Sequence, residues 1–148
     1  MRCTSNNWGG FLVTPLFIMT TPKSAKRTTW EAFSKFIRNR DPGCVTCGNP
    51  TTCAGHFFHT SDKSTNPHLG GNEVWYSEKN VNGQCNSCNI HKSGNLAPYS
   101  VYLEEKHGFG VIQELRDLFN TPKKWSIEEV LEVKEKYKNL VKQGHHSI

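Results

Sequence analysis

The sequence predicts a small α+β domain in which a zinc-stabilised region of short strands and loops is flanked by α-helices at both ends. Amphipathic helical spacing of apolar residues is clearest near the two ends of the chain. The middle is rich in Gly, Asn, Thr, Ser and His, and two Cys-x-x-Cys pairs enclose it. A chain of 148 residues suffices for one domain, which we expect to span residues 26–148.

The first 25 residues are expected to form a poorly ordered basic tail. An apolar patch runs from Phe11 to Met19, but it is short, contains Pro15 and has no positive cluster before it. No small-residue cleavage site follows the patch, and no apolar run approaches the ~20 residues of a membrane span. We therefore expect neither a signal peptide nor a membrane segment. Met19 is an alternative start to Met1.

A basic amphipathic helix is predicted over residues 26–42. Its apolar positions recur at intervals of three or four: Trp30, Phe33, Phe36 and Ile37. Either Thr28 or Thr29 supplies a capping side chain, and Asp41-Pro42-Gly43 ends the helix.

Further helices are predicted after the second cysteine pair. One begins around Asn86 to Cys88, is interrupted or kinked near Gly94 and Pro98, and ends at His107-Gly108. The region 44–107 would then contain the strands, the loops and this helix. C-terminal helices follow over residues 111–145, and the last of them opens with a capping box in Ser126-Ile-Glu-Glu129.

The two Cys-x-x-Cys pairs predict one structural Zn²⁺ site formed by Cys44, Cys47, Cys85 and Cys88. Two residues between cysteines let both thiolates reach one tetrahedral ion, and Gly48 lets the backbone turn after the first pair. Binding energy at such a site is folding energy, so the ion would replace part of a large core. Two disulfides or a redox-active pair are the alternatives. Two further cysteines stand outside the pairs: Cys3 lies in the expected tail, and Cys53 is expected to be a buried thiol.

Three polar residues lie at characteristic positions relative to the cysteine pairs. His56 and Asn80 lie between the two pairs, and Asn89 directly follows the second pair. A nuclease that cuts a phosphodiester needs a base to activate water and a divalent ion to stabilise charge on the phosphate. It also needs a group that fixes the tautomer of the base. A β-hairpin crossed by a helix and locked by zinc could bring the three residues together.

This combination resembles the ββα-metal, or HNH, endonuclease finger in the form found in the NinG (Rap) recombination proteins of lambdoid phages. The resemblance covers about residues 20–140. The matching segments are Trp30-Glu-Ala-Phe33-Ser-Lys-Phe36-Ile-Arg38-Asn-Arg40-Asp41, the Cys-x-x-Cys-Gly at 44–48, Ala54-Gly55-His56-Phe57, Asn80-Val-x-Gly-Gln84-Cys85-x-x-Cys88-Asn89, and Lys92-Ser93-Gly94-Asn95 with Tyr99 beyond.

The resemblance implies a catalytic role for each of the three polar residues. His56 would be the general base, and Asn80 would hold the hairpin and the histidine in place. Asn89 would be a ligand of a catalytic Mg²⁺ or Mn²⁺, because its amide oxygen suits a hard cation. The acidic ligand that usually precedes the base is absent, since Ala54 and Gly55 occupy those places. The second ligand stays open among His59, Asp62 and His91.

The net charge of +5 makes DNA a plausible partner, and the resemblance implies DNA that is branched or contains junctions. Lys92 would contact phosphate near the start of a helix. Sequence-independent backbone contacts would come from the basic N-terminal helix: Lys26, Arg27, Lys35, Arg38 and Arg40.

The resemblance therefore implies an HNH-type endodeoxyribonuclease that acts on D-loops or Holliday junctions in phage recombination, in the cytoplasm of a bacterial host. Cleavage of both strands of a junction would favour a homodimer. A catalytically inactive zinc-finger DNA-binding module is one alternative, which the missing acidic ligand keeps open. An HNH homing or restriction nuclease and a secreted disulfide-stabilised protein are the others.

Overall fold

The computed structural model describes residues 20–59 and 72–144 and shows a mixed arrangement of helices with a two-stranded sheet. Residues 1–19, which include most of the expected tail, and the candidate ligand Asp62 lie outside the described residues. Within the described ranges, no helix is both long and apolar enough to cross a membrane. The elements are α1 (Pro22–Arg40), β1 (Cys53–His56), β2 (Val81–Gln84), a π-helical segment (Ser87–His91), α2 (Leu96–His107), α3 (Val111–Phe119) and α4 (Ile127–Lys142).

Helix α1 begins four residues before the predicted position. Thr21 is its N-cap, since the Ser24 amide donates to Thr21 Oγ1 at 3.2 Å, and Pro22 occupies the first helical turn. The expected capping role of Thr28 or Thr29 is therefore wrong. Thr29 is fully buried in the helix interior, where its hydroxyl donates to the Val130 carbonyl oxygen of α4 at 3.1 Å.

An aromatic core joins α1 and α4 to the sheet. Phe33 contacts Tyr137 of α4 edge to face with ring centroids 4.7 Å apart, and it contacts Tyr76 in the same manner at 5.8 Å. The buried members of this core are Phe33, Phe36, Ile37, Ala54, Trp75, Tyr76, Val81 and Tyr137. Helix α1 is thereby fixed against both strands of the hairpin and against α4.

A second core lies between α2 and α3. It consists of Val74, Tyr99, Leu103, Val111 and Leu115, all of which are buried. The two helices are joined by a tight connection in which Gly108 and Gly110 both have positive φ, at 91° and 96°. This core fixes α2 against α3.

The two strands are antiparallel and entirely buried. Cys53 pairs with Gln84 at one end of the ladder and His56 pairs with Val81 at the other. The sheet is short, so its position depends on the elements packed around it rather than on the two strands alone.

The helices after β2 confirm the predicted interruption at Gly94 and the predicted capping box. The predicted interruption at Pro98 is wrong, because Pro98 lies in the first turn of α2, where a proline is tolerated. Gly94, with φ of 90°, separates the π-helical segment from α2. Helix α3 occupies 111–119, and α4 opens with the predicted capping box, in which the Glu129 amide donates to Ser126 Oγ and the Ser126 amide donates to the Glu129 carboxylate.

Candidate metal centre and histidine cavity

The four paired cysteines converge on one point. The Sγ atoms of Cys44, Cys47, Cys85 and Cys88 all lie within 4.8 Å of one another, and three of the four residues are buried. In the described part of the chain, they are the one group of three or more His, Cys, Asp or Glu side chains whose ligand atoms meet in this way. The cluster could hold a metal ion such as zinc.

Backbone turns and amide donors shape this cluster. The Gly48 amide donates to the Cys44 carbonyl oxygen at 2.8 Å, and Gly48 has φ of 80°, so the first pair forms the tight turn that the glycine predicts. The Cys88 amide donates to Cys85 Sγ, and Asn95 Nδ2 donates to Cys88 Sγ, both at 3.5 Å. Donors aimed at sulfur favour the thiolate form that a metal ion requires.

The paired cysteines are all free thiols, so neither pair forms the disulfide of the alternative interpretation. Cys53 is buried at the start of β1 as expected, but it is disulfide-bonded, so the expectation of a thiol there is wrong. It takes no part in the four-cysteine cluster.

His56 lies at the end of β1, 6% exposed, between two tryptophan rings. The Trp30 ring of α1 stacks on it with centroids 4.8 Å apart and planes 15° apart, and the Trp75 ring lies 4.3 Å away. Its Nε2 is 3.1 Å from the Trp75 carbonyl oxygen. A carbonyl oxygen only accepts, so Nε2 carries the proton and Nδ1 of the neutral ring has the free lone pair.

The surroundings keep this imidazole neutral. Burial, together with the nearby His59, lowers the pKa of His56 to about 3, although the hydrogen bond to the Trp75 carbonyl acts in the opposite direction. His56 is therefore an uncharged hydrogen-bond acceptor at physiological pH.

A cavity of about 450 Å³ opens in front of the histidine. Three residues predicted for catalysis or metal binding line it, namely His56, His59 and Asn89, and the rings of the two histidines are 5.4 Å apart. The other lining residues are Ala54, Ile90, Ser93 and Gly94. The candidate ligand His91 is exposed and does not line the cavity.

Asn80 is fully buried and its side chain binds the backbone that follows β1. The Phe58 amide donates to Asn80 Oδ1 at 2.9 Å, and Asn80 Nδ2 donates to the carbonyl oxygens of Phe58 at 3.0 Å and Val74 at 3.3 Å. The Asn80 backbone carbonyl accepts from the Phe57 amide at 2.8 Å. These bonds fix the chain immediately after His56.

Arg40 does not belong to a DNA-contacting surface, which corrects its predicted role. Its side chain is 6% exposed and pairs with Asp41, whose carboxylate also accepts from the Gly83 amide at 2.9 Å. The guanidinium further donates to the Val81 carbonyl oxygen at 3.1 Å and to Asn82 Oδ1 at 2.8 Å. Its donors are used to tie the end of α1 to β2, so none of this group is available to phosphate.

The remaining basic candidates are accessible to different degrees. Lys35, Arg27 and Lys92 are exposed, although Arg27 pairs with Glu31 at 3.1 Å. Lys26 and Arg38 are half-buried. Lys26 is one helical turn before Trp30, the residue that stacks on His56, so it is on the face of α1 directed towards the histidine.

Three positioning residues have no role in the sequence interpretation: Trp75, Gln84 and Tyr99. The Tyr99 hydroxyl donates to the Gly55 carbonyl oxygen at 2.7 Å and accepts from Asn82 Nδ2 at 3.1 Å. Trp75 supplies both a ring and a carbonyl to His56. No local spacing marks these residues, because they come from different segments.

Comparison with known proteins identifies the family. A family profile described as "Bacteriophage Lambda NinG protein" matches residues 21–146, which is nearly the whole described part of the chain. The chain belongs to the NinG family. No solved structure matches it significantly.

The curated NinG relatives are longer than this chain. It is 34% identical over 122 residues to "Protein ninG" of Escherichia phage 933W, covering 79% of this chain and 56% of the relative. The corresponding protein of Escherichia phage lambda is also 34% identical over 122 residues, with 79% and 55% covered. That of Salmonella phage P22 is 33% identical over 117 residues, with 76% and 53% covered. The chain thus spans about half the length of these relatives.

Proposed function

We propose that this NinG-family protein is a divalent-metal-dependent DNA endonuclease of the HNH type, stabilised by zinc, that cuts branched recombination intermediates during phage growth in a bacterial host. The observation that carries the proposal is the buried, neutral and oriented imidazole of His56 in a cavity shared with His59 and Asn89. The preference for branched DNA rests on resemblance to the family alone.

In this proposal His56 is the general base. Its Nδ1 accepts a proton from the attacking water, while Nε2 keeps its hydrogen bond to the Trp75 carbonyl and so fixes the ring plane. The two flanking tryptophan rings prevent rotation of the imidazole. Asn80 holds the chain that follows the base, and Tyr99 holds the carbonyl that precedes it.

A pKa of about 3 makes His56 a weak base in the free protein. Binding of a phosphodiester would place negative charge in the cavity, and nearby negative charge stabilises the imidazolium and raises the pKa. The His56 imidazole would thus become a stronger base when DNA is bound, and it would stay neutral in the absence of DNA.

The donors on the cavity wall fit a hard divalent cation only in part. Asn89 offers an amide oxygen, and His59 is the nearest of the proposed histidine ligands to the base. A bound Mg²⁺ or Mn²⁺ would supply charge stabilisation at the phosphate and the leaving oxygen. The four cysteines would hold a Zn²⁺ that fixes the adjoining turns.

Basic side chains on α1 and near the cavity would contact the DNA backbone. Lys26 is on the same face as Trp30, and Lys92 follows the segment that supplies Asn89. Such contacts carry no sequence information, which agrees with a substrate recognised by shape.

The test uses purified, zinc-loaded protein with linear duplex, nicked, flap and four-way-junction DNA in Mg²⁺ or Mn²⁺. We expect cleavage of at least one branched substrate that requires the divalent ion. His56→Ala should lose it, whereas His107→Ala, a histidine remote from the cavity lining, should retain it. Absence of metal-dependent cleavage on every substrate would overturn the proposal.

A DNA-binding module without catalysis is the second candidate. It is favoured by the low pKa of His56 and by the absence, in the described residues, of a carboxylate cluster beside that histidine. This candidate predicts junction binding that falls steeply with salt, without cleavage under any metal condition.

A further inference from the structure

Helix α4 carries a row of lysines along one side. Lys134, Lys138 and Lys142 recur every four residues, so their side chains lie in one line, which we call the lysine face. Lys138 and Lys142 are exposed, and Lys134 is half-buried. Like charges four residues apart repel each other and lower the stability of a helix. The lysine face is therefore not explained by the stability of α4 alone.

The opposite side of α4 uses its charges within the protein. Lys136 is two positions from each of its neighbours in the lysine face, so it points to the other side of the helix. There it lies 4.0 Å from the Glu78 carboxylate. Glu129, two turns earlier on that side, is 3.4 Å from Lys123, which also lies 3.8 Å from Glu73. The lysine face is thus directed away from these internal partners.

Helix α1 adds a further positive charge beside the lysine face. Phe33 and Phe36 of α1 both contact Tyr137 of α4, with ring centroids 4.7 Å and 4.9 Å apart. Lys35 lies between these two phenylalanines in the sequence and is exposed. It is therefore level with Tyr137, and hence with Lys138, on the exposed surface of the same helix pair.

Neighbouring carboxylates offset only part of this charge. The Glu135 carboxylate is 3.7 Å from Lys138 and offsets that one lysine. Glu31 of α1 is already paired with Arg27 at 3.1 Å. In the described part of the chain, three of the four lysines form no ion pair with a carboxylate: Lys35, Lys134 and Lys142. The surface thus keeps positive charge that is available to phosphate.

Lys35 and Lys26 lie on opposite sides of α1. Lys35 follows Lys26 by about two and a half helical turns. Lys26 lies on the side of Trp30, whose ring stacks on His56 at the cavity. A straight duplex that lies on Lys26 does not also lie on Lys35. The diverging arms of a branched DNA can contact both sides.

We propose that the lysine face, together with Lys35, binds the phosphate backbone of a duplex DNA arm other than the arm at the histidine cavity. This inference rests on the proposed function, which supplies branched DNA as the substrate, and it adds a second DNA surface. Ammonium groups that contact phosphates hold DNA without reading its bases. The surface therefore selects DNA by the direction of its arms rather than by its sequence.

The experiment compares the binding of a four-way junction with that of a linear duplex of the same arm sequence. The Kd of the zinc-loaded full chain for each labelled DNA is measured by fluorescence anisotropy over a series of salt concentrations, without Mg²⁺ or Mn²⁺. The test variant combines Lys134→Gln, Lys138→Gln and Lys142→Gln.

We expect the test variant to raise the Kd for the junction at least about tenfold, because phosphate contacts are lost. The dependence of log K on log salt should become less steep by about 2–3 units, since each phosphate contact contributes about 0.9. The Kd for the linear duplex should rise less than about threefold, because that DNA occupies the cavity side alone.

The matched control removes the same formal charge from lysines that are engaged within the protein. It combines Lys79→Gln, Lys106→Gln and Lys136→Gln. Lys79 binds Glu114 at 2.9 Å, and Lys106 donates to the Tyr102 hydroxyl at 2.8 Å. We expect its Kd for the junction to stay within about threefold of the wild-type value, with an unchanged salt dependence.

Equal rises in Kd in the two triple variants would reduce the effect to net charge and overturn the lysine face as a site. An unchanged Kd for the junction in the test variant would overturn it as well. An equal rise for the junction and the linear duplex would overturn the assignment to a second arm. Thermal unfolding is measured for each variant. If the test variant does not fold, the double variant Lys35→Gln, Lys142→Gln decides by the same comparison.

The second surface and the nuclease activity fail separately. Junction cleavage that requires His56, together with an unchanged Kd for the junction in the test variant, would retain the proposed function and reject the surface. The expected series of Kd values with no cleavage of any DNA would retain the surface and reject the nuclease. Absence of binding to either DNA by the wild-type protein would reject the surface.

Discussion

The four-cysteine cluster and the histidine cavity both surround the short hairpin, yet the chain assembles them differently. Each cysteine pair is local, with two residues between its members, and the two pairs meet where β2 ends. The cavity instead combines His56 of β1 with Asn89 of the π-helical segment, and its histidine is enclosed by Trp30 of α1 and by Trp75.

This difference separates a centre that holds the fold from one that depends on it. Loss of the cluster should release the turns that anchor both strands, and the cavity would then be lost as well. Loss of a cavity residue should leave the cluster in place. The first two predictions concern the framework that holds the hairpin, and the next two concern the end of β1 that carries His56.

The largest effect should follow removal of the metal ion from the cluster. We expect a strong chelator, or Cys88→Ser, to abolish the cooperative thermal transition, because metal binding at such sites contributes about 10–16 kcal/mol in zinc-finger peptides. Circular dichroism and zinc analysis measure this. Full retention of fold in a protein shown to contain no metal would contradict a structural role for the cluster.

Breaking the buried Arg40–Asp41 pair should have the next largest effect. Arg40→Ala leaves a buried carboxylate uncompensated and should cost about 3–5 kcal/mol of unfolding free energy. The exposed Arg27–Glu31 pair is the matched control, and Arg27→Ala should change stability by less than about 0.5 kcal/mol. Equal losses in urea unfolding would remove the distinction between a structural and a surface arginine.

Tyr99→Phe tests how firmly the backbone before His56 is held. The variant leaves the buried Gly55 carbonyl without its 2.7 Å donor and should cost about 1–3 kcal/mol. The side chain keeps its volume, so zinc content should not change. A variant as stable as the original protein in urea unfolding would show that this hydrogen bond does not position the strand.

Protonation of His56 should change the stability of the protein less than the substitutions above. It should destabilise the folded state at low pH, which is the opposite of what a stabilised imidazolium would do. Because the folded pKa lies near 3 and the unfolded value near 6.5, stability is complete above about pH 6.5 and falls as the pH decreases towards 3. By pH 5.5 the loss should be about 1 kcal/mol.

Nuclear magnetic resonance of the imidazole signals measures the protonation of His56 directly. The pH dependence of stability in His56→Gln, measured in parallel, separates the contribution of His56 from that of cysteine protonation. We expect the His56 ring to remain neutral from pH 8 to pH 5. A titration midpoint near 6.5 would show that the ring is not enclosed as the structure indicates.

The predictable parts of the molecule are those encoded over a few residues. The cysteine spacing, Gly48, the Ser126 capping box and the break at Gly94 all act locally, so the cluster, α4 and the interruption before α2 were predictable. The start of α1 was misplaced because Thr28 and Thr29 are plausible caps in isolation. The earlier Thr21-Pro22 pair is the stronger signal for the start of the helix, because Thr21 caps it and a proline is favoured in the first turn.

Residues that act over long distances were not predictable. Arg40 resembles a phosphate contact in a basic run, and only the packing of α1 against β2 shows that its donors are internal. Gln84 adjoins a cysteine ligand without any spacing signal, and its relation to Gly55 depends on strand register. Of the residues proposed for the histidine site, His56, His59 and Asn89 are brought together, whereas His91 is not.

The most direct test of the central claim is the single-turnover cleavage rate of a four-way junction by zinc-loaded protein in Mn²⁺, compared with that of His56→Ala. If His56 is the base of a nuclease, the wild-type protein cleaves the junction and the variant, with normal zinc content, is slower by about 10²–10⁴-fold. Equal rates for the two proteins would contradict the role of His56, and no cleavage by either would contradict the nuclease itself.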